Sequence, residues 1–355
     1  MAWAEVAPRI VADDVVRELW LTNCHLPKDR VAWTSDLTSL SRLSHLILDR
    51  TPVTPEDLTR LGGHAMLTHL RIRNYADFSD SCAIRLGQME RLREIAVEEC
   101  SSLTIEGMAG LTALGNLDAL ELGSIRTLQA GEIGRVLGKC KLNSLTLHGL
   151  LLLSHDDWKS LASHKSLTSL HIVGAAPTDD DIILLKDLSL SHLSLANINL
   201  ASDNALGEVI RSLPLLSLKL TVGKQVTGVF LADFGKARQL RNLSLSAPYG
   251  DKAMDTSVLR HLTSLKNVQL SGARICTDQS LTALLGIKGI ECIRILDGGT
   301  LSKESILNLK SASSLMEIEI YWMNQFTVWQ LDEIRTELKK AFGERPVVVV
   351  LRKEG

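Results

Sequence analysis

The residues best suited by type to chemistry are the histidines and cysteines, and their spacing argues against most chemistry. His148, His171 and His192 fall on three successive segments of alternating apolar residues, at offsets of +3, +1 and -1 from the central apolar residue of each. On adjacent strands they would form a diagonal row, a geometry from which a metal site can grow. The sequence places no carboxylate or cysteine to complete a ligand set, so we read them as solvated histidines and expect no metal. His45 and His69, side by side on neighbouring segments, read the same way. GEIGRVLGKCKL (131–142) has the look of a phosphate loop but fails its spacing, with Ile133 where glycine is required and Cys140 where a hydroxyl is required. There is no G-x-S-x-G, H-E-x-x-H or C-x-x-C, and no spacing that suggests a Ser-His-Asp or Cys-His site. The expectation is a protein that is not an enzyme and uses no cofactor.

Charged and aromatic residues cluster instead. His45, Arg50, His69, Arg71 and Arg73 form a basic group, followed by an acidic one of Glu94, Glu98, Glu99, Asp118 and Glu121. Small neutral residues come next: Ser144, Thr146, Gly149, Ser169, Gly174 and Ser194. Towards the C-terminus Lys219, Arg241, Lys266 and Arg294 mix with Glu317 and Glu319, ahead of Tyr321 and Trp322. Aromatics are only 4% of the chain, so exposed ones are informative. Tyr, Trp and Arg are the commonest interface anchors. Alternating patches favour a folded protein partner over a polyanion.

These residues are positioned by a repeat. The spacing apolar-x-x-apolar-x-apolar occurs thirteen times, its middle residue at Leu19, Leu46, Leu70, Ile95, Leu120, Leu145, Leu170, Leu193, Leu218, Leu243, Val268, Ile293 and Ile318. The intervals are 27, 24, 25, 25, 25, 25, 23, 25, 25, 25, 25 and 25 residues, a period that marks a solenoid. Leu167, Leu170 and Ile172 illustrate the alternation of a strand with one buried side. Strands recurring at this period stack in parallel and need a crossover of a dozen or more residues. Thr54-Pro55-Glu56-Asp57, Ser154-His155-Asp156-Asp157 and Thr178-Asp179-Asp180-Asp181 read as helix starts, with a hydroxyl cap and acids at the positive end of the helix. Thr104, Ser202, Thr227, Thr277, Ser302 and Thr327 occupy comparable positions. Apolar residues at +4 and +7, such as Trp158 and Leu161, supply one helical face. Helices are wider than strands, so the stack should bend with strands on its concave side.

LSHLIL (43–48), LREIAV (92–97), LTSLHI (167–172) and LRNLSL (240–245) resemble the leucine-rich repeat superfamily, over about 16 to 323. The helical crossovers and the period near 25 look most like its cysteine-containing and related bacterial subclasses. The resemblance implies an α/β solenoid, a curved horseshoe with a parallel sheet on the concave face and short helices on the convex one. The family often places Asn or Cys three residues after the last strand leucine; here only Cys24 and Cys100 match.

We expect an N-terminal cap over 1–15, an array over 16–326, and a C-terminal cap over 327–355 of one amphipathic helix and a strand, RPVVVVLR, buried on both faces. Net charge is -2, without the basic excess that nucleic acid demands. The start of the chain lacks a basic region ahead of a long apolar core, and no apolar run is long enough to span a membrane. Six scattered cysteines read as free thiols of a cytoplasmic protein. Asn242-Leu243-Ser244 is a formal sequon, disregarded because Leu243 is a core strand residue.

The function these features imply is binding of a globular protein on the concave face by a chain that is monomeric when free. The contact residues expected are Arg71, Arg73, Glu98, Glu121, His148, His171, Lys219, Arg294, Tyr321 and Trp322. A chain with no effector domain acts by occupancy, as a stoichiometric inhibitor or immunity-type protein, or by bridging, as an adaptor. A ligand or nucleic-acid sensor is the weaker alternative.

Overall fold

The computed structural model describes residues 3, 10, 15–113, 115–138, 140–149 and 153–353. The chain falls into two compact units, Met1–Gly174 and Ala175–Gly355. Within each unit strands follow one another in sequence order, and crossovers alternate with them.

In the first unit seven parallel strands carry the repeat: β1 Glu18–Thr22, β2 His45–Asp49, β3 His69–Arg73, β4 Glu94–Glu98, β5 Ala119–Gly123, β6 Ser144–His148 and β7 Ser169–Val173. Their register aligns the central apolar residues, Leu19 with Leu46, Leu70 with Ile95, and Leu120 with Leu145. In the second unit the strands are β8 His192–Ile198, β9 Ser217–Val222, β10 Asn242–Ser246, β11 Asn267–Ser271, β12 Cys292–Ile295, β13 Glu317–Ile320 and β14 Val348–Leu351. Leu218, Leu243, Val268, Ile293, Ile318 and Val349 align in the same way. From the second repeat on, each repeat buries its three apolar positions: Leu67, Leu70 and Ile72 are at most 2% exposed. Each such side chain contributes roughly 1.5–3 kcal/mol by leaving water.

The crossovers begin where the hydroxyl signals stand. Thr54, Ser154, Thr178 and Thr327 each accept from the backbone of the third helical residue, whose side chain returns the bond to the cap. Thr104, Ser202, Thr277 and Ser302 cap with one bond each. A second use of the acids was not foreseen: the first residue of one helix grips the cap of the next. Asp80 accepts from Thr104, Asp179 from Ser202, and Asp278 from Ser302. Thr227 departs from expectation. Asp203 takes the backbone N–H groups of Thr227, Gly228 and Phe230, Gly228 turns left-handed at φ 101, and the crossover Val229–Lys236 is a 3-10 helix. Ser257–His261 is also 3-10 and lacks a side-chain cap.

The expected N-terminal cap lies largely outside the described residues. Within it, Trp3 is buried and donates its indole N–H to Asp36. At the other end, helix Val328–Phe342 buries Leu331, Ile334, Leu338 and Phe342. β14 corrects the expectation of burial on both faces. Val349 and Leu351 are buried but Val348 is 53% exposed, so the strand alternates like the others. The reason is that it pairs in register with β13 and inherits that strand's two faces.

A turn shared by most repeats follows the strands. The residue four past the central apolar one has positive φ at Asn23, Arg50, Asn74, Glu99, Ser124, Gly149, Gly174, Asn197, Gly272 and Trp322. In the first unit its N–H continues the ladder, as from Asn74 to the carbonyl of Glu98 and from Glu99 to that of Gly123. Asn and Gly tolerate this conformation; a bulky side chain there is an outlier.

Candidate functional site

The solvent-facing side of the strands was expected to present separate basic and acidic patches. In the first unit the two patches meet and neutralise each other. Arg73, Glu98, Gly123 and His148 occupy one row across β3 to β6, and Arg71, Ala96 and Glu121 the row beside it. Arg71 reaches over Ala96, placing Nη1 3.1 Å from Glu98 Oε1 and donating from Nη2 to Glu121 Oε2 at 2.7 Å. Arg73 Nε lies 3.3 Å from Glu98 Oε2. From the other side His148 leans over Gly123, bringing Nε2 within 3.3 Å of Glu121 Oε1 and 3.7 Å of Glu98 Oε2.

Three positions on the solvent-facing side of the strands are therefore buried. Glu98 is 6% exposed and Ala96 2%, and Gly123 is also covered, because long side chains from both flanks fold across them. The expectation that no carboxylate attends His148 is likewise corrected: register brings two. The signal that could have shown this is the small residue inside each charged column, Ala96 and Gly123, which opens a path between partners two strands apart, roughly 10 Å. His171 and His192 do not join this group. Among the described residues, the ligand atoms of Glu98, Glu121 and His148 form the metal-competent cluster, all within 4.8 Å of one another.

Nearer the first strand, the rings of His45 and His69 stack with centroids 3.9 Å apart. Ser44 and Thr68 hydroxyls each lie 2.8 Å from the Nδ1 of the following histidine. Burial, and then the neighbouring His45, push the His69 pKa below its ordinary value. Trp20 stands 64% exposed beside them and lines a hollow of about 280 Å³ with His45, Ile47, His69 and Glu94.

The second unit is organised differently. Lys219 is exposed. Arg294 is paired with Glu319 and lies 3.9 Å from Glu317. Tyr321 and Trp322 follow β13, and the Arg352 guanidinium sits 5.9 Å from the Tyr321 ring centroid. Trp322 has φ 60, the left-handed turn position that other repeats fill with Asn, Gly, Ser124, Arg50 or Glu99; it is the aromatic residue at that position and is 54% exposed. With Leu296, Asp297, Arg294 and Arg352, these aromatics line a hollow of about 830 Å³. Trp329, 72% exposed, stands at the start of the last helix next to the exposed Val328.

The cysteines are unpaired thiols, and all but Cys292 are buried. Burial pushes Cys100 and Cys276 up to about 12, and burial with the nearby Glu317 pushes Cys292 to about 11. Such thiols are poor nucleophiles.

One solved structure shares this architecture. The chain resembles the yeast Rad7–Elc1 complex structure, with a TM-score of 0.61 at 15% identity, covering 99% of this chain and 83% of that one. Weaker likenesses are to the TLR13–ssRNA13 complex, with a TM-score of 0.49, 17% identity and 86% of this chain against 44% of that one, and to the Leptospira interrogans LRR protein LIC12759, with a TM-score of 0.34, 17% identity, 95% and 97%. No family model and no curated protein sequence matches. The fold is that of a leucine-rich-repeat protein, with strands and helical crossovers in strict alternation. Among the described residues no helix is long and apolar enough to cross a membrane.

Proposed function

We propose that the chain is a non-enzymatic protein-binding module that holds a globular partner against the exposed side of its strands and acts by occupancy, as a stoichiometric inhibitor or immunity-type protein. The observation that carries this reading is Trp322. A bulky, half-exposed side chain is kept in a left-handed turn, a conformation costing of order 1–3 kcal/mol for a non-glycine residue. It stands beside Tyr321 over a hollow large enough to receive a protruding side chain or loop. Rigid aromatics over a recess are the usual anchors of protein interfaces. Lys219 and Arg294 would extend the contact within the second unit, while Arg71, Arg73, Glu98, Glu121 and His148 of the first unit bind one another. Free thiols fit a reducing, cytoplasmic setting.

The test is capture of partners from the source cell by wild type and by Trp322→Ala, read by mass spectrometry, followed by a binding isotherm for the protein enriched. A partner lost on Trp322→Ala and inhibited in its own activity by the wild type supports the reading. A partner held equally well by both overturns the placement of the site. Exposed Val328 and Trp329 favour a second reading, an adaptor that bridges two proteins. Under it Trp329→Ala would release one partner and leave the other bound.

A further inference from the structure

We propose that Glu98, Glu121 and His148 form a binding site for a divalent transition-metal ion, zinc foremost, on the solvent side of strands β4 to β6. The geometry is close to that of three ligands around one ion. His148 Nε2 lies 3.3 Å from Glu121 Oε1 and 3.7 Å from Glu98 Oε2, and all three ligand atoms fall within 4.8 Å of one another. A tetrahedral ion with bonds of about 2.0–2.1 Å holds its ligand atoms about 3.3–3.4 Å apart. Small side-chain adjustments on a fixed sheet therefore suffice.

The strand carrying each ligand is set by register, and the space between them is made by glycine. A Cβ at position 123 would fall 2.1 to 2.9 Å from His148 Cε1, Nε2 and Nδ1, so the imidazole could not lie where it does over any other residue. The gap lets the ring lie across β5 with Nε2 turned towards both carboxylates.

The guanidiniums nearby set the roles of the remaining oxygens. Arg71 takes Glu98 Oε1 and Glu121 Oε2, which orients both carboxylates and leaves Glu98 Oε2 and Glu121 Oε1 turned towards His148. That is the part an outer-shell partner plays around a metal. Arg73 is the group an ion would displace: its Nε is 3.3 Å from Glu98 Oε2 yet buried without a hydrogen bond, so it is the loosest of the guanidinium contacts. The side chain of Glu98 is 8% exposed, that of Glu121 21% and that of His148 28%, so the site is walled on the Glu98 side and open on the other. Water, or a donor atom from a bound molecule, would complete the coordination. One imidazole with two carboxylates suits zinc, cobalt or nickel over calcium and magnesium, which prefer all-oxygen shells.

The experiment uses the full chain stripped with a chelator and titrated calorimetrically with zinc chloride, with cobalt(II) absorption as a second probe. The expected result is one ion per chain, the visible bands of a low-coordinate cobalt site, and a zinc-dependent rise in the thermal midpoint. His148→Gln and Glu121→Gln should weaken zinc binding by more than the roughly 10–100-fold that losing a mere outer-shell partner costs. Gly123→Ala should weaken it too, with every ligand still present, while His171→Ala should leave it unchanged. Circular dichroism of each metal-free variant establishes that it is folded; if Glu121→Gln does not fold, His148→Gln carries the test. No zinc binding by wild type, or binding that survives intact in His148→Gln, overturns the site.

Discussion

The exposed strand surfaces of the two units pair charge to different depths: Glu98 of the first is buried among its partners, while the Arg294 and Glu319 pair of the second lies beside exposed aromatics. In the first unit Arg71, Arg73, Glu98, Glu121 and His148 pair with one another, and the carboxylate at their centre is buried. In the second unit Lys219 is exposed, and the feature that stands out is an aromatic corner held at conformational cost. Charged residues placed close together in sequence thus need not be a docking patch. When register lets them meet, they become part of the fold, and the surface left for a partner is where side chains are held out without internal reward.

The largest test of this contrast concerns the second unit's edge. Deleting 327–355 removes β14, the helix over it and Arg352, exposing Ile318 and Ile320 along with an open strand edge. The product should aggregate, measured by size-exclusion chromatography. A soluble monomer with an unchanged melting temperature would refute the assignment of this segment as a cap.

Next in size is Arg71→Ala. Breaking a fully buried pair costs about 3–5 kcal/mol, and partial exposure of Arg71 with Arg73 remaining reduces this to about 2 kcal/mol, read as a lower urea midpoint. Lys219→Ala should stay within about 0.5 kcal/mol of wild type. Equal effects of the two substitutions would erase the distinction between the units.

Trp322→Asn sharpens the comparison from the other side. Asparagine tolerates the left-handed turn, so stability should rise by about 1 kcal/mol while partner affinity falls by about 1–3 kcal/mol. A loss of stability would mean that Trp322 is there for packing.

The pH dependence should be smaller. For Asp203, burial is the largest single influence and raises the pKa, but hydrogen bonds from Thr227, Phe230 and Gly228 together outweigh it and hold the carboxyl below its usual range. The unfolded chain therefore takes up that proton first. The stabilisation is complete above about pH 4 and drains away as pH falls through the depressed folded value. Asp203→Asn should flatten the stability curve in that acid window and leave its shape near neutrality unchanged. Smallest of all, the five buried thiols should react slowly with a thiol reagent at pH 8 in the native protein, and all six should react in denaturant.

Much of the fold was legible because its signal is periodic. The interval of 25 residues places Leu120 opposite Leu145, and Thr54 or Ser154 at a helix start, as the structure has them. Thr227 was misread because the carboxylate that organises its turn, Asp203, belongs to the preceding repeat. The candidate sites were legible only as composition. Glu98 reads as an exposed strand acid until Arg71, Arg73 and His148 are seen to close over it. Trp322 is singled out in the sequence as a scarce aromatic and expected contact, but its left-handed turn is not legible there.

The sequence by itself determined the repeat, the alternation that buries one side of each strand, and the capped crossovers. Those depend on residues close together in the chain and on a period that copies itself. The tertiary structure alone decided which charges pair, which histidine meets carboxylates, and which aromatic is held out to solvent. These depend on side-chain reach across strands 25 and 50 residues apart, as from Arg71 to Glu121, and on the gaps left by Ala96 and Gly123. No local pattern encodes such contacts, because each needs the register of three strands to be fixed first.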